Sequence, residues 1–256
     1  MKATSIYFST TGTTKKSVMQ MAKVFDESFI DRDVTLWKNV KQEEQFNQDE
    51  IVIFGAPVYG GRIYSGAVKR FKHFKGKKTP CIIVAVYGNR DFDDALIELY
   101  DLVKTQGFIP VGAAAVVAQH TYGQIQVGRP NEEDLMQNRK FAQKIYEKIA
   151  HGDLSEVTVP GHRPYKEGGT GGSFRPTTLE GCSRCGLCAA NCPEGAINPE
   201  NPMILDETKC IACFRCIKEC PEKAKVMDSP QYDAFVKDFN VRLAKRRENV
   251  YFDNIF

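Results

Sequence analysis

Long apolar runs are missing from this sequence. Nothing approaches the ~18 consecutive apolar residues of a membrane-spanning helix. The start, MKATSIYFSTTG, enters a strand pattern without the apolar core of a secretory leader. Neither membrane insertion nor export is expected, and the chain reads as cytoplasmic. An excess of one charge is missing too: 35 basic and 32 acidic residues leave a net charge of +3, and the basic residues are dispersed. That excludes nucleic acid as a partner, because such surfaces need a basic patch or stripe. Two nucleotide signatures are absent, the GxxxxGK[ST] loop and the GxGxxG turn, and no separate NAD(P) domain is visible. Tryptophan occurs once. What remains is a chain of 256 residues with 42% hydrophobic content, enough for one ordinary domain and a small one.

Cysteine is plentiful and grouped. Cys182, Cys185, Cys188 and Cys192 each have a counterpart 28 residues later, in Cys210, Cys213, Cys216 and Cys220. Both copies read C-x2-C-x2-C-x3-C-P and close on Pro193 and Pro221. In a reducing compartment such spacing points to a metal or redox cofactor rather than to disulfides. Three thiolates on a tight loop can grip one face of a 4Fe-4S cubane, and the proline stops the helix while the fourth cysteine is redirected. Two tetrahedral zinc sites are the rival reading, although these usually pair two C-x2-C knuckles across a longer gap. Clusters with a purely structural role are another. The ninth cysteine, Cys81, heads an apolar run and is expected to be buried filler.

Ahead of the cysteines, apolar strand-like runs alternate with helical stretches. ATSIYF, VTLW, EIVIFGAPVY, PCIIVAVYG and IPVGAAAVVAQ read as strands, and the stretches near 14–28, 64–74, 92–106 and 131–150 as helices. Strands this uniformly apolar belong to a parallel sheet covered on both faces. The expected fold class is α/β, a doubly wound five-stranded parallel sheet of order 2-1-3-4-5. Ligands of such sheets bind beyond the carboxyl ends of the strands.

Those ends carry unusual residues. After the first strand comes STTGTTK, in which Ser9, Thr10, Thr11, Gly12, Thr13 and Thr14 lead into a helix. Backbone N–H groups at a helix start, with these hydroxyls, suit a phosphate monoester, although a Ser/Thr-rich turn can equally be a plain N-cap. The third strand ends in Pro57, Val58, Tyr59, Gly60 and Gly61, the fourth in Tyr87, Gly88, Asn89 and Arg90 with Phe92 just beyond. Tyr59 and Tyr87 could pack on a flavin ring, with Phe92 as substitute for one of them, or could simply fill the core. Gly60 and Gly61 would let the backbone approach the ring edge; Asn89 and Arg90 could reach its pyrimidine side or the phosphate. His120 and Tyr122 follow the fifth strand.

The cysteine runs resemble those of bacterial two-cluster ferredoxins, and Ser9, Thr11, Gly12 and Thr14 fill the S/T-x-T-G-x-T phosphate loop of flavodoxins. Over nearly its full length the chain resembles the flavodoxin-ferredoxin fusion proteins of anaerobic bacteria and archaea. The resemblance implies one FMN and two 4Fe-4S clusters with crossed ligation: Cys182, Cys185, Cys188 and Cys220 on one, Cys210, Cys213, Cys216 and Cys192 on the other. It implies a flavodoxin-like FMN domain over 1–150, a linker over 151–176, a small α+β ferredoxin domain over 177–228, and a C-terminal helix and tail over 229–256. The linker, rich in glycine, is expected to be flexible. In the tail, Tyr251, Phe252 and Phe256 are expected to pack against the other module. Two features depart from the family: the chain is basic, and tyrosine stands where many flavodoxins use tryptophan.

Such a combination would relay electrons between the clusters and FMN. An FMN-dependent reductase of a small molecule, fed through the clusters, is the alternative, and a redox sensor or docking module a third. Up to residue 175 there are 24 basic and 20 acidic residues, against 6 and 8 over 176–228. A basic flavodoxin surface could therefore attract the negative cluster module, or an acidic redox partner such as a ferredoxin or an oxidoreductase.

Overall fold

The computed structural model describes residues 1–40 and 42–254. In chain order the first half runs β1 (Lys2–Tyr7), α1 (Thr13–Phe25), β2 (Ile30–Asp33), β3 (Glu44–Phe46), β4 (Glu50–Tyr59), β5 (Arg62–Ile63), α2 (Ser65–Phe71), β6 (Phe74–Gly76), β7 (Thr79–Tyr87), α3 (Ala95–Thr105), β8 (Phe108–Val117) and α4 (Glu132–Ala150). The second half contributes β9 (Thr177–Thr178), α5 (Leu187–Ala190), α6 (Arg215–Glu219), β10 (Lys225–Val226), α7 (Pro230–Arg242) and β11 (Val250–Phe252). Among the described residues no helix is long and apolar enough to cross a membrane.

The main sheet has the order β11-β8-β7-β4-β1-β2. Its five strands from β2 to β8 are parallel, in the doubly wound order expected. All nine residues of β7 are buried, as a central strand covered on both faces requires. One apolar layer packs α1 and α4 against the sheet through Val18, Met21, Phe25, Phe141 and Ile145. The other packs α2 and α3 through Ala67, Phe71, Leu96, Leu99 and Val103.

Three expectations are corrected. The second strand lies at Ile30–Asp33 and not at VTLW: its sequence, IDRD, is polar because it is an edge, and pairing with β1 fixes it. Trp37 instead opens a short 3-10 turn. The sheet also gains a sixth main strand. β11 pairs antiparallel with β8, Val250 to Ala115 and Phe252 to Ala113, so Tyr251 and Phe252 cover the sheet edge and pack on its two faces. Phe256 lies outside the described residues.

The third correction concerns residues 151–176, which are tied down rather than free. Asp94 accepts hydrogen bonds from His162 N (2.9 Å) and Lys166 N (2.8 Å), and Asp101 binds Arg163 (2.5 Å) and Tyr165 (2.5 Å). Gly169 exchanges backbone bonds with Tyr59 O (2.8 Å) and Ser65 N (2.8 Å). Composition suggested a loose tether because the partners of this strap all lie far away in sequence.

The return of the chain to the sheet is anchored at Asn89. Its Nδ2 donates to Leu243 O (2.9 Å) and Lys245 O (2.8 Å), and its Oδ1 accepts from Arg247 N (2.9 Å). Arg129, paired with the buried Asp134 (2.5 Å), adds a bond to Arg247 O (2.8 Å). Asn89 holds a left-handed backbone, φ 65°. Asn89→Gly keeps that conformation open and removes the three side-chain bonds, so we expect a loss of about 2 kcal/mol and faster amide exchange across 243–252. Hydrogen exchange read by mass spectrometry checks this; unchanged protection there would move the anchor elsewhere.

Candidate functional site

The loops at the carboxyl ends of β1, β4, β7 and β8 converge on a cavity of about 320 Å³. Thr11 and Thr13 line it from the first loop, Pro57 to Gly60 from the second, Val86 to Gly88 from the third, and Ala118 to Tyr122 from the fourth. Of the residues singled out in the sequence, Thr11, Thr13, Pro57, Val58, Tyr59, Gly60, Tyr87, Gly88 and His120 are brought together here.

The first loop is shaped to start a helix. Gly12 takes φ 83° at the N-cap of α1, a conformation that a side chain would strain, and the first turn of α1 has no acidic residue. Ser9 Oγ accepts from Lys15 N (3.1 Å) and Ser9 N donates to Thr35 Oγ1 (2.8 Å). Ser9 thus shapes the loop without lining the cavity. The earliest N–H groups of a helix have no partner within it, and here no carboxylate competes for them within the turn.

Other expected residues stand elsewhere. Thr10, Gly12 and Thr14 belong to the loop's frame, and Thr14 is buried. Gly61 receives Asp94 N (2.9 Å) and packs against Asp93. Arg90 pairs with that same Asp93. Phe92 backs Tyr87 from the core side, with ring centroids 5.5 Å apart. Asn89 is fully occupied by the C-terminal segment. None of these last four lines the cavity, because each has a nearer partner that the sequence pattern does not reveal.

The remaining wall comes from places that sequence reasoning missed. Thr170, Gly171 and Gly172 of the strap line the cavity, and so does Ala212, between Cys210 and Cys213. Both glycines permit close approach. A Cβ on Gly171 would lie 2.4 Å from Ile211 Cα, and one on Gly172 would lie 2.2 Å from Tyr122 Oη. Tyr122 Oη donates to Ala212 O (3.2 Å), and its ring meets Phe214 and Phe174 at 5.0 and 5.7 Å. The only available signal was the glycine cluster GGTGGS, which composition assigned to flexibility.

The eight clustered cysteines surround two further cavities. Cys192, Cys210, Cys213 and Cys216 line the inner one, and Cys182, Cys185, Cys188 and Cys220 the outer one. The two halves mirror each other: α5 and α6 start at equivalent positions, and Asn191 Nδ2 binds Glu219 Oε2 (2.9 Å) across them. Ala196 N and Ala224 N donate to Cys192 Sγ (3.2 Å) and Cys220 Sγ (3.3 Å). Burial pushes the thiols of Cys213 and Cys216 up to about 12. Burial acts the same way at Cys220, but the N–H groups of Lys225, Ala224 and Glu222 outweigh it and bring that thiol below its ordinary value. Among the described residues no three or more His, Cys, Asp or Glu converge on a position for a single metal ion. Each cavity is lined by four cysteines, a donor set that suits a cubane.

Residues 5–95 match the family model of the flavodoxin domain. The cysteine-rich part is 37% identical over 71 residues to pyruvate synthase subunit PorD of Methanocaldococcus jannaschii, covering 27% of this chain and 83% of that protein. The PorD of Methanothermobacter marburgensis is 34% identical over 73 residues, covering 28% and 88%. The chain carries a flavodoxin domain and, through its cysteine-rich part, belongs to the family of these PorD subunits. A subunit of the H(2):CoB-CoM heterodisulfide,ferredoxin reductase of Methanothermobacter marburgensis is 31% identical over 67 residues, 20% of this chain and 36% of that protein. The chain spans only that 36% of its length. Among solved structures, a flavodoxin from the domain Archaea is 16% identical with a TM-score of 0.40, covering 59% of this chain and 100% of that one. Flavodoxin 1 of Bacillus cereus is 13% identical with a TM-score of 0.38, covering 57% and 98%.

The cavity of the flavodoxin domain fits FMN in its chemistry. It offers a helix start free of acidic side chains, two threonine hydroxyls, and the aromatic faces of Tyr59, Tyr87 and Tyr122. His120 completes its floor. Tyr122 N donates to His120 Nδ1 (2.9 Å), which leaves the ring proton on Nε2, and Phe239 meets the ring edge-on at 4.9 Å. Burial pushes the imidazole down to about 4, and the charges of Lys218 and Arg90 add to this.

The folded state therefore resists a proton that the unfolded chain accepts near 6.5. The stability owed to neutral His120 is complete above pH 6.5 and is lost as pH falls from 6.5 through 4, by about 3 kcal/mol in total. His120→Gln should flatten the decline of unfolding free energy over that range, as measured by urea titration at each pH. Parallel curves for the two proteins would show that His120 titrates normally.

Proposed function

We propose that this chain relays electrons between two 4Fe-4S clusters, one in each cysteine ring, and FMN held in the flavodoxin cavity. One observation carries the reading: Ala212, flanked by Cys210 and Cys213, forms part of the cavity wall. When bound, FMN would exchange electrons singly or in pairs and each cluster one at a time. The protein supplies position. Thr11, Thr13 and the start of α1 would take the phosphate, while Tyr59, Tyr87, Gly60 and Gly88 would bracket the ring system. The inner thiols would face FMN across Ala212 and Tyr122, and the N–H groups of Ala196 and Ala224 would stabilise charge on sulfur.

The outer ring is the entry. Cys185 and Leu187 there are exposed, so a redox partner protein, a ferredoxin or an oxidoreductase, can approach it. The relatives that resemble the cysteine-rich part are named as subunits of pyruvate synthase and of an H(2):CoB-CoM heterodisulfide,ferredoxin reductase, which supports a protein partner. We divide the chain at 150, 176 and 228, with the cysteine-rich region as a ferredoxin-type module. That module is fastened on both sides, by the strap and by β11, and has no need to diffuse to the flavin.

Two expectations follow. Thr11→Ala combined with Thr13→Ala removes two hydroxyl donors to the phosphate, so FMN affinity should fall roughly a hundredfold, about 3 kcal/mol, with iron content unchanged. Equilibrium fluorescence titration of FMN reads this, and an unaltered affinity would place the phosphate at another site. In stopped-flow mixing with a one-electron donor, flavin absorbance should follow cluster absorbance at a rate independent of protein concentration. Flavin reduction that scales with protein concentration, or that is equally fast without iron, would rule out the internal relay.

A further inference from the structure

Among the described residues the largest fully buried side chain is an arginine, Arg70 of α2, at 0% exposure. Its Nη1 donates to Gly66 O (2.9 Å) and stands 3.0 Å from Glu194 Oε1, and its Nη2 donates to Pro193 O (2.7 Å). The guanidinium lies 4.1 Å from the ring centroid of Trp37 and 5.1 Å from that of Phe8. Glu194 in turn accepts from Tyr64 Oη (2.8 Å) and Trp37 Nε1 (3.4 Å). Among the described residues Arg70 Nε has no hydrogen-bond partner.

Burying a guanidinium is costly unless it is paired, and both partners outside its own helix follow Cys192 directly in the chain. Cys192, Pro193 and Glu194 all line the inner cavity. One member of the charge pair that fastens the cysteine-rich region to the flavodoxin domain, Glu194, is thus part of the inner ring's own wall, and Arg70 stands directly behind it. A cluster that gains an electron gains negative charge. In a poorly screened site a neighbouring cation favours that gain and a neighbouring carboxylate opposes it.

We propose that Arg70 and Glu194 form a clasp that positions the inner cysteine ring at the flavin cavity and sets the electron affinity of the group the ring holds. This rests on the relay reading above. Arg70 and Glu194 are positioning residues: they reach the ring through the Cys192–Pro193–Glu194 turn and by their charge. The outer ring, which neither residue lines, is the internal reference.

The test is a reductive titration with dithionite and mediators, followed by electron paramagnetic resonance, on the full chain loaded with FMN, iron and sulfide. The signal altered by Cys213→Ser is the inner one. Arg70→Gln should make the inner group harder to reduce and Glu194→Gln easier, each by about tenfold in the reduced-to-oxidised ratio, which is about 59 mV for one electron. The outer signal should stay in place. Amide exchange across 192–198 should quicken in both variants as the clasp opens. Opposite shifts support the clasp, because a merely structural role would move both variants the same way. Shifts of one sign, or none, overturn it. If Arg70→Gln does not fold, Glu194→Gln decides alone, and an unchanged inner potential overturns the proposal. A wild-type chain that takes up zinc, or far less than about eight iron, fails at the relay reading itself, before the clasp is tested.

Discussion

Three residue pairs between β11 and β8 close this chain upon itself. Everything from the strap to α7 is enclosed between that pairing and the end of α4, so the cysteine-rich region is a segment held at both ends and not an appendage. Asn89 and Arg129 secure the returning strand from the flavodoxin side. Tethering at two points restricts rotation far more than one linker can, and it keeps Ala212 in the cavity wall. One-electron exchange between fixed groups gains most from such an arrangement, because the geometry is set once in folding rather than at every encounter.

Within this frame the contacts between the two regions are of two kinds. Around Tyr122 they are aromatic: Phe174, Phe214, Tyr232 and Phe235 crowd its ring with centroids 5.0 to 6.2 Å away. Around Arg70 they are ionic and buried. Aromatic packing supplies non-directional attraction, and the buried ion pair supplies register, since a shift of the Pro193–Glu194 turn would strand a charge without its partner. The inner cysteine ring touches both fastenings, lined by Phe214 from one and Glu194 from the other. Counting charges over each region gives no hint of this specific pair.

Much of the molecule was legible in advance because its signals are local. Unbroken apolar runs in β4 and β7, helical periodicity in α1 and α4, and a doubled cysteine spacing each depend on residues within one turn or one loop. The grouping of the cysteines across the two copies is not local: it came from the resemblance to two-cluster ferredoxins, and the two cavities are lined by the same two sets. The first error came where the local signal is weak, at the polar edge strand IDRD. The others came where the partner is distant: the strap, whose anchors Asp94 and Asp101 are some sixty or seventy residues away, and Asn89, whose partners are more than a hundred and fifty.

The sequence by itself determined the alternation of apolar strands and helices, the loop that starts α1, the place of Tyr59, Tyr87 and His120 at strand ends, and the two matching runs of four cysteines. Each of these is written in spacing, and spacing survives any arrangement of the rest. Only the tertiary structure decided that Gly171, Gly172 and Ala212 share a wall with those tyrosines, that β11 completes the sheet, and that Arg70 is buried against Glu194. The reason is physical. Close approach of two backbones, an edge strand with open hydrogen bonds, and a charge that tolerates burial only beside its counter-ion are properties of pairs, and neither member of such a pair carries a mark in sequence that names the other.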